Sequence, residues 1–314
     1  MTYEEFQKEL LNHLQKKCGK GVTPELTHQL KENGLKKTGI TLRFPDTISS
    51  PIIYLEDFFE QYQYSGDLDG VTDQILRLYR AIPKLNISEH FLADFNHIKG
   101  TITMKLINTE KNRAFLETVP HIPFEDLSLV YYCVLNVMDG GMGTMLIDNM
   151  KAALWSVDAK TLHQYALANY TDLLSASFMT MGQQIEAIFL SCSENLALEE
   201  NSVLEMPDDG FEDCMYVLSN KCKQWGAALM TCKSLMDDIA DFFREDFYIL
   251  PSSIHELVLI PDSKSLSKDE LDLLIQDINQ TQVPPEEYLS DHAYHYSKKG
   301  KNTIPCFGQG LFLS

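Results

Sequence analysis

Apolar residues first recur at helical spacing at Phe6, Leu10, Leu11 and Leu14, with Thr2 ahead of them and Glu5 three positions after Thr2. The pattern predicts an amphipathic helix opened by a Thr2–Glu5 capping box and closed by Gly19 and Gly21. Residues 22–33 carry a weaker signal, either a second helical stretch or an extended segment. Residues 38–44 alternate, which predicts a strand with Ile40, Leu42 and Phe44 on one face and Thr41 and Arg43 on the other. Pro45 and Asp46 turn the chain. Ile52 to Leu55 lead into a helix carrying Phe58, Phe59 and Tyr62, which Gly66 ends. A further helix is predicted over 70–81, with Val71, Ile75, Leu78 and Tyr79 buried.

The middle of the chain changes period. Residues 101–107 alternate, and Pro120 and Pro123 make a rigid extended crossing around His121 and Ile122. Residues 127–137 are the best strand in the chain. The glycines of 139–143 then predict a hairpin turn, with 144–147 returning antiparallel. Asp158 caps a helix with the stripe Leu162, Tyr165, Ala166 and Tyr170. Residues 178–190 are apolar enough for a buried helix or strand. A short strand at 215–218 is expected to pair with 227–230 across a turn at Gly226. A helix at 232–245 and strand-like runs at 248–250 and 257–260 follow. Ser267 caps a helix bearing Leu271, Leu274, Ile275 and Ile278, ended by Pro284 and Pro285. The tail from 286, with five aromatic residues, is expected to fold back as an extended arm. These elements define an α+β fold in which a helical N-terminal region packs on a strand-rich central and C-terminal core. The regions are 1–97, 98–261 and 262–314.

Charge narrows the function classes. The 314 residues hold 26 Lys and Arg against 45 Asp and Glu, a formal charge of -19. Such a surface repels phosphate backbones and anionic membranes, so neither nucleic acid nor a membrane is an expected partner. No apolar run is long enough to span a bilayer, and the acidic start lacks the features of a signal peptide, so a cytoplasmic location is expected. Seven cysteines, an odd number, read as reduced thiols packed as small hydrophobes.

The densest polar cluster in an apolar setting is Ser252, Ser253, His255 and Glu256. Serine, histidine and carboxylate together point to nucleophilic catalysis. The histidine is only two or three residues from the serines, however, and no nucleophile-elbow motif occurs. The competing expectation is a helical turn opened by Pro251, with the serines capping backbone N–H groups and His255 and Glu256 pairing with neighbours. His90, Asp94 and His97 would share a face on a continuous helix and hold a divalent metal there. His292 and His295, near Asp291, fall on opposite faces if that segment is a strand. Residues 139–144 lack the ending of a phosphate loop and precede no helix. The acidic run over 199–213 lacks an EF-hand pattern and reads as a solvated loop. No metal site or cofactor site is complete.

Three strings resemble an uncharacterised bacterial family common in anaerobic gut clostridia: Ile122-Pro123-Phe124-Glu125-Asp126-Leu127, Met145-Leu146-Ile147-Asp148-Asn149 and the run from Ile249 to Glu256. The resemblance covers nearly the whole chain. A fainter one is to an uncharacterised family of Bacillus-type bacteria with the same order of early helices, strand-rich middle and Asn-bearing helix. Neither implies an activity. The expected function is a non-enzymatic binding module for a protein or a small molecule. The alternative is a hydrolase whose site assembles around His255 and Glu256 with a serine or a cysteine as nucleophile, Ser252 and Ser253 being the nearest candidates.

Overall fold

The computed structural model describes residues 1–19, 21–43, 50–81, 89–138, 141–192 and 215–298. Phe44, Pro45, Asp46, Asp139, Gly140, the acidic run 199–213 and the tail beyond 298 lie outside the described residues. The chain divides into two compact units, Met1–Asp94 and Phe95–Ser314. It is an α+β protein with N-terminal helices and a strand-rich central and C-terminal core.

The first unit runs α1 (Tyr3–Lys17), β1 (Thr23–Leu30), β2 (Lys36–Arg43), β3 (Ile53–Tyr54), α2 (Glu56–Ser65), α3 (Leu68–Ala81) and α4 (Glu89–Ala93). Thr2 and Glu5 form the capping box at the start of α1. Phe6, Leu10 and Leu14 are fully buried, each such burial stabilising by about 1.5–3 kcal/mol. Residues 22–33 resolve to the extended alternative: β1 pairs antiparallel with β2, and β3 with the other edge of β2. The Tyr79 hydroxyl accepts from the Leu42 amide at 2.8 Å and donates to the Pro51 carbonyl at 2.8 Å, tying α3 to this sheet. Leu78, expected to be buried, is exposed, and Leu76 is buried instead. At 100° per residue the arc holding Val71, Ile75, Tyr79, Thr72 and Leu76 leaves Leu78 beyond its rim. Gly66 ends α2 at φ +69°, a conformation that favours glycine.

The second unit begins with α5 (Phe95–Ile98), β4 (Ile102–Asn108), α6 (Arg113–Leu116), β5 (His121–Phe124), β6 (Leu127–Met138) and β7 (Gly141–Leu146). β6 is central: β4 lies along one edge, β5 and β7 share the other, and every pair is antiparallel. Gly141 opposes Met138, so this segment is a hairpin return and not a phosphate loop. Next come α7 (Asn149–Trp155), capped by Asp148, and α8 (Ala159–Leu173), capped by Asp158. Asn149 is the first residue of α7. β4 is buried along its whole length because both its faces are covered. Met104 pairs with Tyr131, whose ring meets His163 of α8 edge-on at 6.2 Å. On the other face the Lys105 ammonium lies 5.4 Å from the Trp225 ring centre.

The remaining elements are β8 (Ala176–Thr180), α9 (Met181–Cys192), β9 (Tyr216–Asn220), α10 (Lys233–Phe243), β10 (Phe247–Pro251), β11 (Leu257–Pro261), α11 (Lys268–Thr281) and β12 (Tyr294–Tyr296). The strands form a second antiparallel sheet in the order β12-β10-β11-β9-β8. Two expectations are corrected here. Residues 178–190 are not one buried element. Thr180 and Gln183 make reciprocal side-chain to backbone bonds of 3.1 and 2.9 Å, a capping box that divides the run into β8 and α9, and Ile185 is exposed. Residues 227–230 belong to a buried 3-10 turn, Gly226–Thr231, and do not pair with β9, whose two edges are taken by β8 and β11. α11 carries the expected Ser267 cap, which Glu270 completes as a capping box, and buries Leu271 and Ile275.

Candidate functional site

The quartet Ser252, Ser253, His255 and Glu256 forms the loop joining β10 to β11. Pro251 is the last residue of β10 and opens no helical turn. Of the two serines, Ser253 supplies a backbone cap. Ser253 Oγ accepts from the His255 amide at 3.0 Å, and the Ser253 amide donates to the Glu256 carbonyl at 3.3 Å. The loop is then stitched outward. The His255 carbonyl accepts from the Gly226 amide at 3.0 Å and from Ser219 Oγ at 2.8 Å. The Ile254 amide donates to the Glu287 carbonyl at 2.9 Å.

The His255 ring is equally committed. Its Nδ1 accepts from the Trp225 amide at 3.2 Å, which leaves the ring proton on Nε2, 3.6 Å from Glu287 Oε1. Burial, with Lys105 nearby, pushes the ring pKa below its ordinary value. Burial pushes the Glu256 carboxyl up against the pull of Lys223, and it pushes Glu287 up, reinforced by Glu286 and Glu256. Among the described residues no serine, threonine or cysteine side chain bonds to the His255 ring. The arrangement therefore holds a Trp-bearing loop in place. Trp225 itself adopts φ +60° and Lys223 φ +50°, two non-glycine residues in the left-handed region, and the bond to His255 Nδ1 is one of the contacts that hold Trp225 there. Among the described residues Cys18, Cys133, Cys222 and Cys232 are free thiols, and burial pushes Cys133 up to about 11 and Cys232 up to about 12.

The other histidine sets also come apart. Asp94 separates α4 from α5, so the continuous helix that would have aligned His90, Asp94 and His97 does not form. His292 and His295 pair with different carboxylates, Asp126 at 3.3 Å and Asp262 at 3.0 Å. Asp126, in the β5–β6 turn, also accepts from the Tyr294 hydroxyl at 2.6 Å and the Ser290 hydroxyl at 3.0 Å. Burial opposes its ionisation, but these three donors outweigh burial and hold its carboxyl below the ordinary range. Asp126 thereby pins the chain around β12 to the first sheet of this unit.

A concavity of ligand size lies in the first unit. Lys17, the last residue of α1, reaches Asp73 at 2.8 Å, and His13 reaches Asp69 at 3.2 Å. These pairs run in the same direction along both helices, so α3 continues about two turns past the end of α1. Along this side α3 carries Gly70, Asp73, Arg77 and Arg80, with the edge of the buried Leu76. With Lys17 these residues line a cleft of about 570 Å³, within the size range of small-molecule sites. Hydrogen bonding to Asp73 raises the Lys17 pKa. Arg77 and Arg80 form no ion pair among the described residues. Composition hid this place, because the basic residues of the cleft are outnumbered across the whole chain.

The geometry defines an α+β protein with a cationic cleft in its first unit and a structurally committed histidine loop in its second. The chain belongs to the family of unknown function DUF5688, whose model matches residues 3–298. No curated protein and no solved structure matches it.

Proposed function

We propose that the chain is a non-catalytic binding protein whose first unit takes a small anionic ligand in the cleft beside α3. The observation that carries this reading is the pair Arg77 and Arg80, one helical turn apart on a cleft wall with no carboxylate partner among the described residues, in a chain of net charge -19. Two guanidinium forks at this spacing suit a carboxylate or a phosphate monoester. The lining residues Lys17, Gly70, Asp73, Leu76, Arg77 and Arg80 include no histidine, serine or cysteine, so the cleft is equipped to hold an anion and not to cleave one. For the hydrolytic alternative at His255 and Glu256, no serine, threonine or cysteine among the described residues is bonded to the ring. Among the described residues no helix is long and apolar enough to cross a membrane. The free thiols support a reducing, cytoplasmic setting, and the three family-like strings support a bacterial, clostridial source.

The test is a thermal-shift screen of the full chain against di- and tricarboxylates and phosphate monoesters, followed by calorimetric titration. One anion class is expected to bind below about 1 mM, and Arg77→Gln with Arg80→Gln to weaken it at least tenfold. Absence of binding, or equal binding by the double variant, would remove the proposal.

A further inference from the structure

The register of the second sheet gathers three side chains that the reading above does not use. Tyr248 of β10 lies opposite Ile260 of β11 on one side and His295 of β12 on the other. Alternate residues of a strand share a face. Asp246, two before Tyr248, and Asp262, two after Ile260, therefore project to the face that carries His295. The Asp262 amide donates to the Asp246 carbonyl at 3.0 Å, which extends the hairpin ladder by one pair and makes the two aspartates direct cross-strand neighbours. One ligand-capable atom from each of Asp246, Asp262 and His295 lies within 4.8 Å of the other two.

The three groups are held differently from ordinary surface charges. The Tyr248 ring packs 4.8 Å from the His295 ring and sets its plane. His295 Nε2 faces both Asp262 oxygens, at 3.0 and 3.1 Å. The Asp246 carboxylate accepts no hydrogen bond from the described residues, whereas its neighbour Glu245 is fully engaged by the Ser263 amide and hydroxyl at 2.8 and 2.7 Å. Like charges directly opposite each other in a ladder are destabilising. A cation seated between them converts that repulsion into attraction.

We propose that Asp246, Asp262 and His295 bind a first-row divalent transition ion. Ligand atoms about 2.0–2.2 Å from one ion lie within about 4.4 Å of each other, so small side-chain rotations close the site. An imidazole nitrogen beside two carboxylates suits zinc or manganese, whereas calcium and magnesium take oxygen ligands. Three protein ligands leave positions for water: His295 lies in β12, and Asp246 and Asp262 directly flank the paired ends of β10 and β11, so the site sits at one end of this sheet. The proposal is independent of the cleft beside α3.

The experiment uses the full chain, stripped with a chelator and titrated near pH 7.5 with Zn²⁺, Mn²⁺ and Ca²⁺ in separate runs. Zn²⁺ is expected to bind with micromolar affinity and Ca²⁺ at least tenfold more weakly. Asp246→Asn and His295→Gln are each expected to weaken Zn²⁺ binding tenfold or more, while His292→Gln, whose native ring pairs with Asp126, leaves it unchanged. Mn²⁺ is expected to broaden the NMR signal of the His295 ring ahead of His292. Asp246→Asn removes no hydrogen bond, so its metal-free Tm should equal or exceed that of the wild type, and added Zn²⁺ should raise Tm in the wild type alone. If His295→Gln fails to fold, Asp246→Asn decides. Equal Zn²⁺ affinity in Asp246→Asn and the wild type, or no binding tighter than about 100 µM, would overturn the assignment.

Discussion

His163 projects from α8 into the core beside Tyr131 and is 2 % exposed. Burial pushes its pKa from 6.5 to about 4. Because the folded value lies below the unfolded one, the unfolded chain takes up the proton first. The stability tied to the neutral ring is therefore complete above about pH 6.5 and is lost as pH falls through about 4. At 1.36 kcal/mol per pH unit the loss approaches about 3 kcal/mol. Urea unfolding at pH 7 and pH 4 should show that difference between the wild type and His163→Leu, the comparison cancelling every other titrating group. Equal pH dependence in the two chains would refute it. Nothing in the sequence marks His163, which is one polar residue within an apolar stripe. His255 is the reverse case: its setting among serines makes it conspicuous, yet its ring partners, Trp225 and Glu287, are 30 residues before it and 32 after it, beyond the reach of any local pattern.

Elements with their own caps were legible. Thr2, Asp158 and Ser267 each start the helix that their spacing predicts, because a cap is a contact within four residues. The Thr180–Gln183 box was equally local, but the apolar run around it masked the break. The turn Gly226–Thr231 was illegible for a different reason: its backbone is fixed by the β10–β11 loop. A Cβ on Gly226 would lie 2.5 Å from the His255 carbonyl oxygen and 2.7 Å from Ser219 Oγ. Gly226 is needed for this close approach. Gly226→Ala is expected to push the turn away from the loop and cost about 1–3 kcal/mol. It should also perturb Trp225 fluorescence, since Trp225 is held by the same loop. A variant whose denaturation midpoint and emission match the wild type would show that the loop yields without cost.

At the scale of the whole molecule, alternation identified most strands but not their order. The sheet β12-β10-β11-β9-β8 joins strands separated by long stretches of chain, and register between them is set by which faces are buried, not by any short motif. Charge is unevenly divided in a way that the total conceals. The first unit holds 11 basic and 14 acidic residues, the second 15 and 31. Self-repulsion therefore falls mainly on the second unit and opposes its folding. Salt acts on it in two directions. It weakens helix ion pairs such as Lys233–Asp237 and Lys268–Asp272, each contributing about 0.3–0.5 kcal/mol. It also screens sixteen uncompensated acids as the Debye length falls from about 30 Å at 0.01 M to about 8 Å at 0.15 M. The many long-range repulsions outweigh the few short-range pairs, so NaCl is expected to stabilise this unit. A gain of about 1 kcal/mol corresponds to a rise in Tm of about 2–4 °C for a domain of this size. Calorimetry at the two ionic strengths checks it. A Tm that stays level or falls would mean that the ion pairs, and not the acidic surplus, govern the electrostatics of the second unit.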